Sequence, residues 1–157
     1  MRLLVIDTSF LMYRSYFAFK DKHLSVEKDG ETIITSAIFG FVREIIKLYS
    51  LYNYDFIISA LDAPPYIKKD KYPFYKERPQ RDLPSFAEEK ELIKAILTDL
   101  YIPCLYYPGY EAEDAMAFIL QKLDEHDETN IYTSDEDCYA LLSKNTSLIS
   151  MKVENKT

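Results

Sequence analysis

Apolar and polar positions along this chain of 157 residues alternate between two textures: short β-branched runs, and longer stretches with apolar residues at helical spacing. The runs at about 2–6, 56–61 and 130–133, the stretch PCLYYPGY ending at Pro108-Gly109, and SLIS at 147–150 predict strands. Between them, ITSAIFGFVREIIKLYSLY (33–52) predicts a helix with Ile38, Phe41, Val42, Ile45 and Ile46 as its core stripe. Ser85 with Glu88 three residues on reads as a capping box opening a helix to about Tyr101. Further helices are expected from near Glu111 and over Glu136–Ser143, and polar 20–31, with Asp29-Gly30, reads as a loop. Strands alternating with helices predict an α/β fold with a mainly parallel central sheet and helices on both faces. There is no internal repeat, low-complexity tract or linker.

The length suits one domain with a real core, and 48% apolar with 29% charged residues is a soluble globular composition. Two cysteines, Cys104 and Cys138, give neither a disulfide framework nor a zinc spacing, so a reduced, cytoplasmic setting is expected. In MRLLVIDTS the apolar run ends at Asp7, which fits a buried strand and neither a signal peptide nor a membrane span.

Four of the expected strands run into an acid: Asp7, Asp62, Glu111 and Asp135. Ligands of open α/β sheets bind outside the carboxyl ends of the strands, so these acids converge if the sheet forms as expected. Gathered carboxylates repel, and an oxygen-only cluster suits Mg²⁺ or Mn²⁺. The candidate ligands are Asp7, Asp62, Glu111, Glu113, Asp114, Asp135 and Asp137. Setting these seven of the 26 acids aside leaves 19, equal to the lysines and arginines, so a net charge of −7 need not exclude a polyanionic partner. The alternative is structural: Asp7 and Asp135 as N-caps, with Glu111, Glu113 and Asp114 complementing a helix N-terminus. Cys138 has no neighbour that would lower its pKa and is expected to be inert.

The stretch PPYIKKDKYPFYKERPQR (64–81) is locally +4, with Lys68, Lys69, Lys71, Lys76, Arg78 and Arg81 against Asp70 and Glu77. Tyr66, Tyr72, Phe74 and Tyr75 interleave with the bases, a composition suited to the backbone and stacked bases of unpaired nucleotides. A solvated loop with aromatics packed on the domain is the plainer reading.

Taken together, these motifs are specific. Asp7-Thr8-Ser9-Phe10-Leu11-Met12-Tyr13-Arg14-Ser15-Tyr16-Phe17-Ala18, TSAIFGFVREI, LDAPP followed by YPFYKERP, PGYEAEDAMA and TSDEDCYALLS occur in the order of the 5′-nuclease family and cover essentially the whole chain. The sequence resembles the 5′→3′ exonuclease domain of bacterial DNA polymerase I and its bacteriophage and flap-endonuclease relatives. That resemblance implies a PIN-like core over 1–157 with an arch segment at about 64–84, and metal-dependent hydrolysis of DNA near a free 5′ end or flap, in replication and repair. It assigns Asp62, Glu111, Glu113 and Asp135 to a first metal site, Asp7 and Asp114 to direct or water-mediated ligation, and Asp137 with Asp135 to a second site. It directs Arg14 and Lys76 at the scissile phosphate, while Lys68, Lys69, Lys71, Tyr75, Lys76, Arg78 and Arg81 would contact nucleic acid.

There are departures. Glu113 stands where the family usually has Asp, and one residue separates Lys76 from Arg78 where the family has two. The family's Gly-Asp-x-x-Asp acids and its helix-hairpin element are not among these residues. The implied alternatives are a fragment of a longer nuclease, one half completed by a complementing C-terminal polypeptide, or a short homologue that binds nucleic acid without cutting. On this reading the second ion is weakly held and the chain alone cleaves poorly, better with Mn²⁺ than Mg²⁺. A PIN-like ribonuclease is the other enzymatic alternative. A haloacid-dehalogenase-type phosphatase needs an Asp where Ser9 stands and is excluded.

Overall fold

The computed structural model describes residues 1–75 and 83–150. Its centre is a five-stranded, wholly parallel sheet of β1 (Arg2–Asp7), β4 (Phe56–Ala60), β5 (Cys104–Leu105), β6 (Glu128–Tyr132) and β7 (Thr146–Ile149), in the order β5-β4-β1-β6-β7. β1 is the middle strand, with Ile6 level with Ser59 on one side and Tyr132 on the other. Both faces are covered, so β1 reads as a continuous apolar run instead of alternating. Leu4 and Ile6 join a core with Leu11 and Met12 of α1 (Thr8–Phe19), Phe41, Ile45 and Leu48 of α2 (Ser36–Leu51), and Ile93 and Leu97 of α4 (Phe86–Asp99). Leu3 and Val5 point the other way, against Met116 and Ile119 of α5 (Ala112–Leu120) and Cys138. The expected fold class is thus the observed one. Among the described residues no helix is long and apolar enough to cross a membrane.

Several expectations need correction. The strand expected over PCLYYPGY is only the two residues Cys104–Leu105, ending six residues before Glu111. Residues 20–31 are not a simple loop: β2 (Ser25–Lys28) and β3 (Glu31–Ile34) form an antiparallel hairpin whose turn residues Asp29 and Gly30 have φ of 54° and 84°. Positive φ at both positions is what a two-residue hairpin turn requires, and Asp-Gly supplies it. β3 takes residues 33 and 34, so α2 starts at Ser36. On α2 the buried stripe is Ala37, Phe41, Ile45 and Leu48; Ile46, one residue round the helix, is 63% exposed.

The Ser85–Glu88 capping box does not form. Ser85 has φ 64° and its hydroxyl donates to Glu89 Oε1 at 2.9 Å. Glu89, fully buried, accepts from the backbone N–H groups of Ala37 (2.6 Å) and Ile38 (3.2 Å) through Oε2. The acid in the first turn of α4 therefore satisfies orphan donors at the start of α2, fixing two helices of one layer to each other. Between β4 and the described end at Tyr75 lies α3 (Lys68–Lys71).

Candidate metal centre

Each strand-end acid is held by bonds its own neighbourhood supplies. Asp7 caps α1, its Oδ1 accepting from Phe10 N–H at 3.0 Å, while Oδ2 accepts from the Thr133 hydroxyl at 2.8 Å. Thr133 Oγ1 in turn accepts from Asp135 N–H at 3.0 Å, and Asp135 Oδ1 accepts from Asp137 N–H at 3.1 Å. A chain of bonds thus runs from the end of β1 to the segment after β6. Asp62 N–H donates to Ser9 Oγ at 2.8 Å, placing the first residues beyond β4 against the start of α1.

The loops after β4 and β5 are laced together. Gly109 N–H donates to Ala63 O (2.7 Å), Ala63 N–H to Tyr110 O (3.0 Å), and Ile67 N–H to Gly109 O (2.9 Å). Gly109 has φ +90°, and a Cβ there would lie 2.5 Å from Ile67 Cγ1, so neither the turn nor the close approach admits a side chain. The result is direct: Ala112 N–H, at the start of α5, donates to Asp62 Oδ1 at 2.8 Å, and Asp114 Oδ2 accepts from Glu111 N–H at 3.1 Å.

Glu111, Glu113 and Asp114 bring one carboxylate oxygen each to within 4.8 Å of one another, with Glu111 only 1% exposed. Among them stands Lys68, its Nζ 2.7 Å from Glu111 Oε2, 3.1 Å from Asp114 Oδ2 and 3.5 Å from Glu113 Oε1. The Tyr75 hydroxyl also donates to Glu111 Oε2. Burial opposes charge on Lys68, yet hydrogen bonds to Glu111 and Asp114 hold its pKa above the ordinary lysine value.

The electrostatics place the remaining acids nearby. Burial pushes the Asp7 carboxyl up to about 6 against the pull of the Phe10 and Thr133 hydrogen bonds, and the charges of Asp62 and Asp135 add to the rise. Cys138, beneath the cluster, is pushed up to about 12 by burial and then by Asp7, Asp135 and Glu113, which agrees with an inert thiol. The charges of Asp62 and Asp135 are felt at Asp7, but among the described residues only Glu111, Glu113 and Asp114 bring their oxygens within 4.8 Å of one another. Asp137 is exposed, linked to Asp135 through its backbone. Asp7 and Asp135 are both N-caps, so the structural role weighed for them in the sequence is the one observed. An oxygen-only donor set that already holds a cation fits a hard divalent ion.

Arg14 lies seven residues along from Asp7, about 10 Å by helix rise. It lines a cleft between α1 and α2 with Arg43, Glu44 and Lys47, and its Nη1 is buried with no hydrogen-bond partner among the described residues. Lys69 and Lys71 are exposed on α3; Lys76, Arg78 and Arg81 lie outside the described residues. Sequence reasoning treated Lys68 as a nucleic-acid contact and did not single out Ser9 or Thr133. Their only signal is a hydroxyl close in sequence to a strand-end acid.

The sequence profile of the family described as 5′-3′ exonuclease, N-terminal resolvase-like domain, matches residues 2–157. The chain belongs to that family. It is 33% identical to the 5′-3′ exonuclease of Aquifex aeolicus over 150 residues, 94% of this chain and 50% of that protein. It is 30% identical to the thermostable DNA polymerase I of Thermus thermophilus over 150 residues, 94% of this chain and 17% of that one. The chain thus spans half or less of the length of these relatives. Among solved structures, T5 5′-exonuclease with bound divalent zinc ions superposes with a TM-score of 0.64 at 19% identity, covering 96% of this chain and 55% of that one. The catalytic core of Rad2 in complex with DNA substrate superposes at 0.57 and 21% identity, covering 99% and 43%. At such identities these two share the fold.

Proposed function

We propose that this domain carries the metal centre of a 5′→3′ exonuclease or 5′-flap endonuclease, hydrolysing DNA phosphodiesters near a free 5′ end with Mg²⁺ or Mn²⁺. The observation that carries this reading is the convergence of Glu111, Glu113 and Asp114 on one point, with Asp62 bonded to the same helix start. The names of the Aquifex relative and the T5 and Rad2 neighbours support it.

Bound divalent ions would supply charge neutralisation and an activated water. The protein's part is positioning: Asp62, Glu111, Glu113 and Asp135 as principal ligands, Asp7 and Asp114 as direct or water-mediated ones, Asp137 at a second position. Arg14 and Lys76 face the scissile phosphate in this reading, and the basic-aromatic residues of 64–84 receive the 5′ strand. A cleft of about 640 Å³ walled by Tyr106, Tyr107, Tyr110 and Phe118 shares Asp114 with the cluster and offers ring faces to unpaired bases. Residues 1–157 act as one nuclease domain, and further acids from a longer chain or a complementing C-terminal polypeptide complete the second ion.

A flap duplex labelled at its 5′ end tests this. The expected result is release of short 5′-labelled products that needs Mn²⁺ or Mg²⁺, stops with chelator and falls by roughly 10²–10³ in Glu111→Gln. Products that persist with chelator, or are unchanged in Glu111→Gln, reject it.

A further inference from the structure

Lys68 occupies a place that a metal ion would need. Its ammonium is within 3.5 Å of Glu111, Glu113 and Asp114, the three carboxylates whose oxygens meet within 4.8 Å. A divalent ion bonded to those oxygens at roughly 2.0–2.6 Å lies in the same small volume, so ion and ammonium exclude each other. The exclusion is steric and electrostatic at once, since both are cations.

We propose that Lys68 is a displaceable counter-ion of the metal centre. It neutralises the acids until a divalent cation enters, and the released ammonium then contacts the phosphate of the incoming strand. The proposal rests on the metal reading above and adds to it a residue that links metal binding to DNA binding.

Three features of the site support exchange. The Lys68 side chain is 37% exposed, so its ammonium has a path to solvent. Its backbone is anchored next door by the Ile67 N–H to Gly109 O bond of 2.9 Å, so release needs only rotation of the four-carbon stem. A lysine head is a compact charge with three donors, matching three carboxylates, where a planar guanidinium fork would not. Clustered acids repel one another, and a cation among them, ammonium or metal, relieves that repulsion.

A competitor that holds a site nine-tenths of the time weakens apparent affinity about tenfold. Titration of Mn²⁺, read from the free-ion electron paramagnetic resonance signal, should therefore show tighter binding by about tenfold in Lys68→Met, and binding between those of wild type and Lys68→Met in Lys68→Arg, whose fork matches the three carboxylates less well. The same Lys68→Met protein should bind a 5′ single-stranded DNA tail more weakly in Ca²⁺, read by fluorescence anisotropy. A residue that merely buttresses the acids would move both affinities down together. Unchanged or weaker Mn²⁺ binding by Lys68→Met overturns the exchange, and unchanged DNA affinity overturns the hand-over to phosphate. If neither wild type nor variant binds Mn²⁺, the metal reading itself falls and this proposal with it. Should Lys68→Met fail to fold, the wild type decides: on Mg²⁺ saturation the Lys68 ¹³Cε signal should move to that of a solvated lysine, and a static signal refutes the exchange.

Discussion

Thr133 Oγ1 donates to Asp7 Oδ2 at 2.8 Å, joining the end of the central strand to the segment after β6. Asp7 is 4% exposed, and its carboxyl lies at about 6 because burial and the neighbouring Asp62 and Asp135 charges outweigh its hydrogen bonds. The site is thus assembled against an electrostatic cost.

That cost has a pH signature in the metal-free protein. The folded state holds the Asp7 proton more tightly than the unfolded chain, so stability falls as pH rises from about 4 to about 6 and stays lower above. The full effect is on the order of 3 kcal/mol. Asp7→Asn should be more stable than wild type by about 1–2 kcal/mol at pH 8, after allowing for its altered bond to Thr133, with the advantage gone near pH 4. Urea unfolding in chelator across that range checks it; a difference independent of pH contradicts the assignment.

Gly109→Ala should lower stability by about 1–3 kcal/mol, because φ is +90° and Ile67 blocks the new Cβ. The same change pulls the loop bearing Asp62 away from Glu111, so Mn²⁺ affinity in the folded fraction should fall too. Thermal unfolding with a metal titration reads both, and wild-type values for each would show the loop lacing to be incidental.

Glu89→Ala should cost roughly 2–4 kcal/mol by leaving the Ala37 and Ile38 N–H groups unbonded in the core. The metal affinity of the folded fraction should stay as in wild type, since Glu89 caps α2 on the face opposite α5. Chemical denaturation gives the first quantity and calorimetry the second. A loss under about 0.5 kcal/mol would mean that other groups or water cap α2.

What sequence made visible was the part governed by local rules. Asp7, Asp62 and Asp135 lie at or within three residues of the end of an apolar strand, and parallel topology does the rest; Glu111 lies six residues beyond β5 and is placed by the start of α5. The β2–β3 hairpin carried a local signal too, Asp29-Gly30, but its exposed flanks hold little apolar alternation and read as a loop. Glu89 and Lys68 were out of reach for another reason. Glu89 sits 52 residues from its partner Ala37, and Lys68 43 from Glu111, so their partners are chosen by packing. Before folding, a lysine in a +4 segment looks like a nucleic-acid contact. In the folded chain it faces carboxylates.

The central claim is that Glu111, Glu113 and Asp114, with Asp62 beside them, hold a divalent ion. Calorimetric titration of Mn²⁺ into the wild type and the Glu111→Gln/Asp114→Asn double variant at pH 7.5 tests it most directly. The account predicts saturable binding by the wild type and a loss in the variant of at least the roughly 10-fold to 100-fold that removal of a ligand's outer-shell partner brings. No binding by the wild type, or equal binding by both proteins, would contradict it.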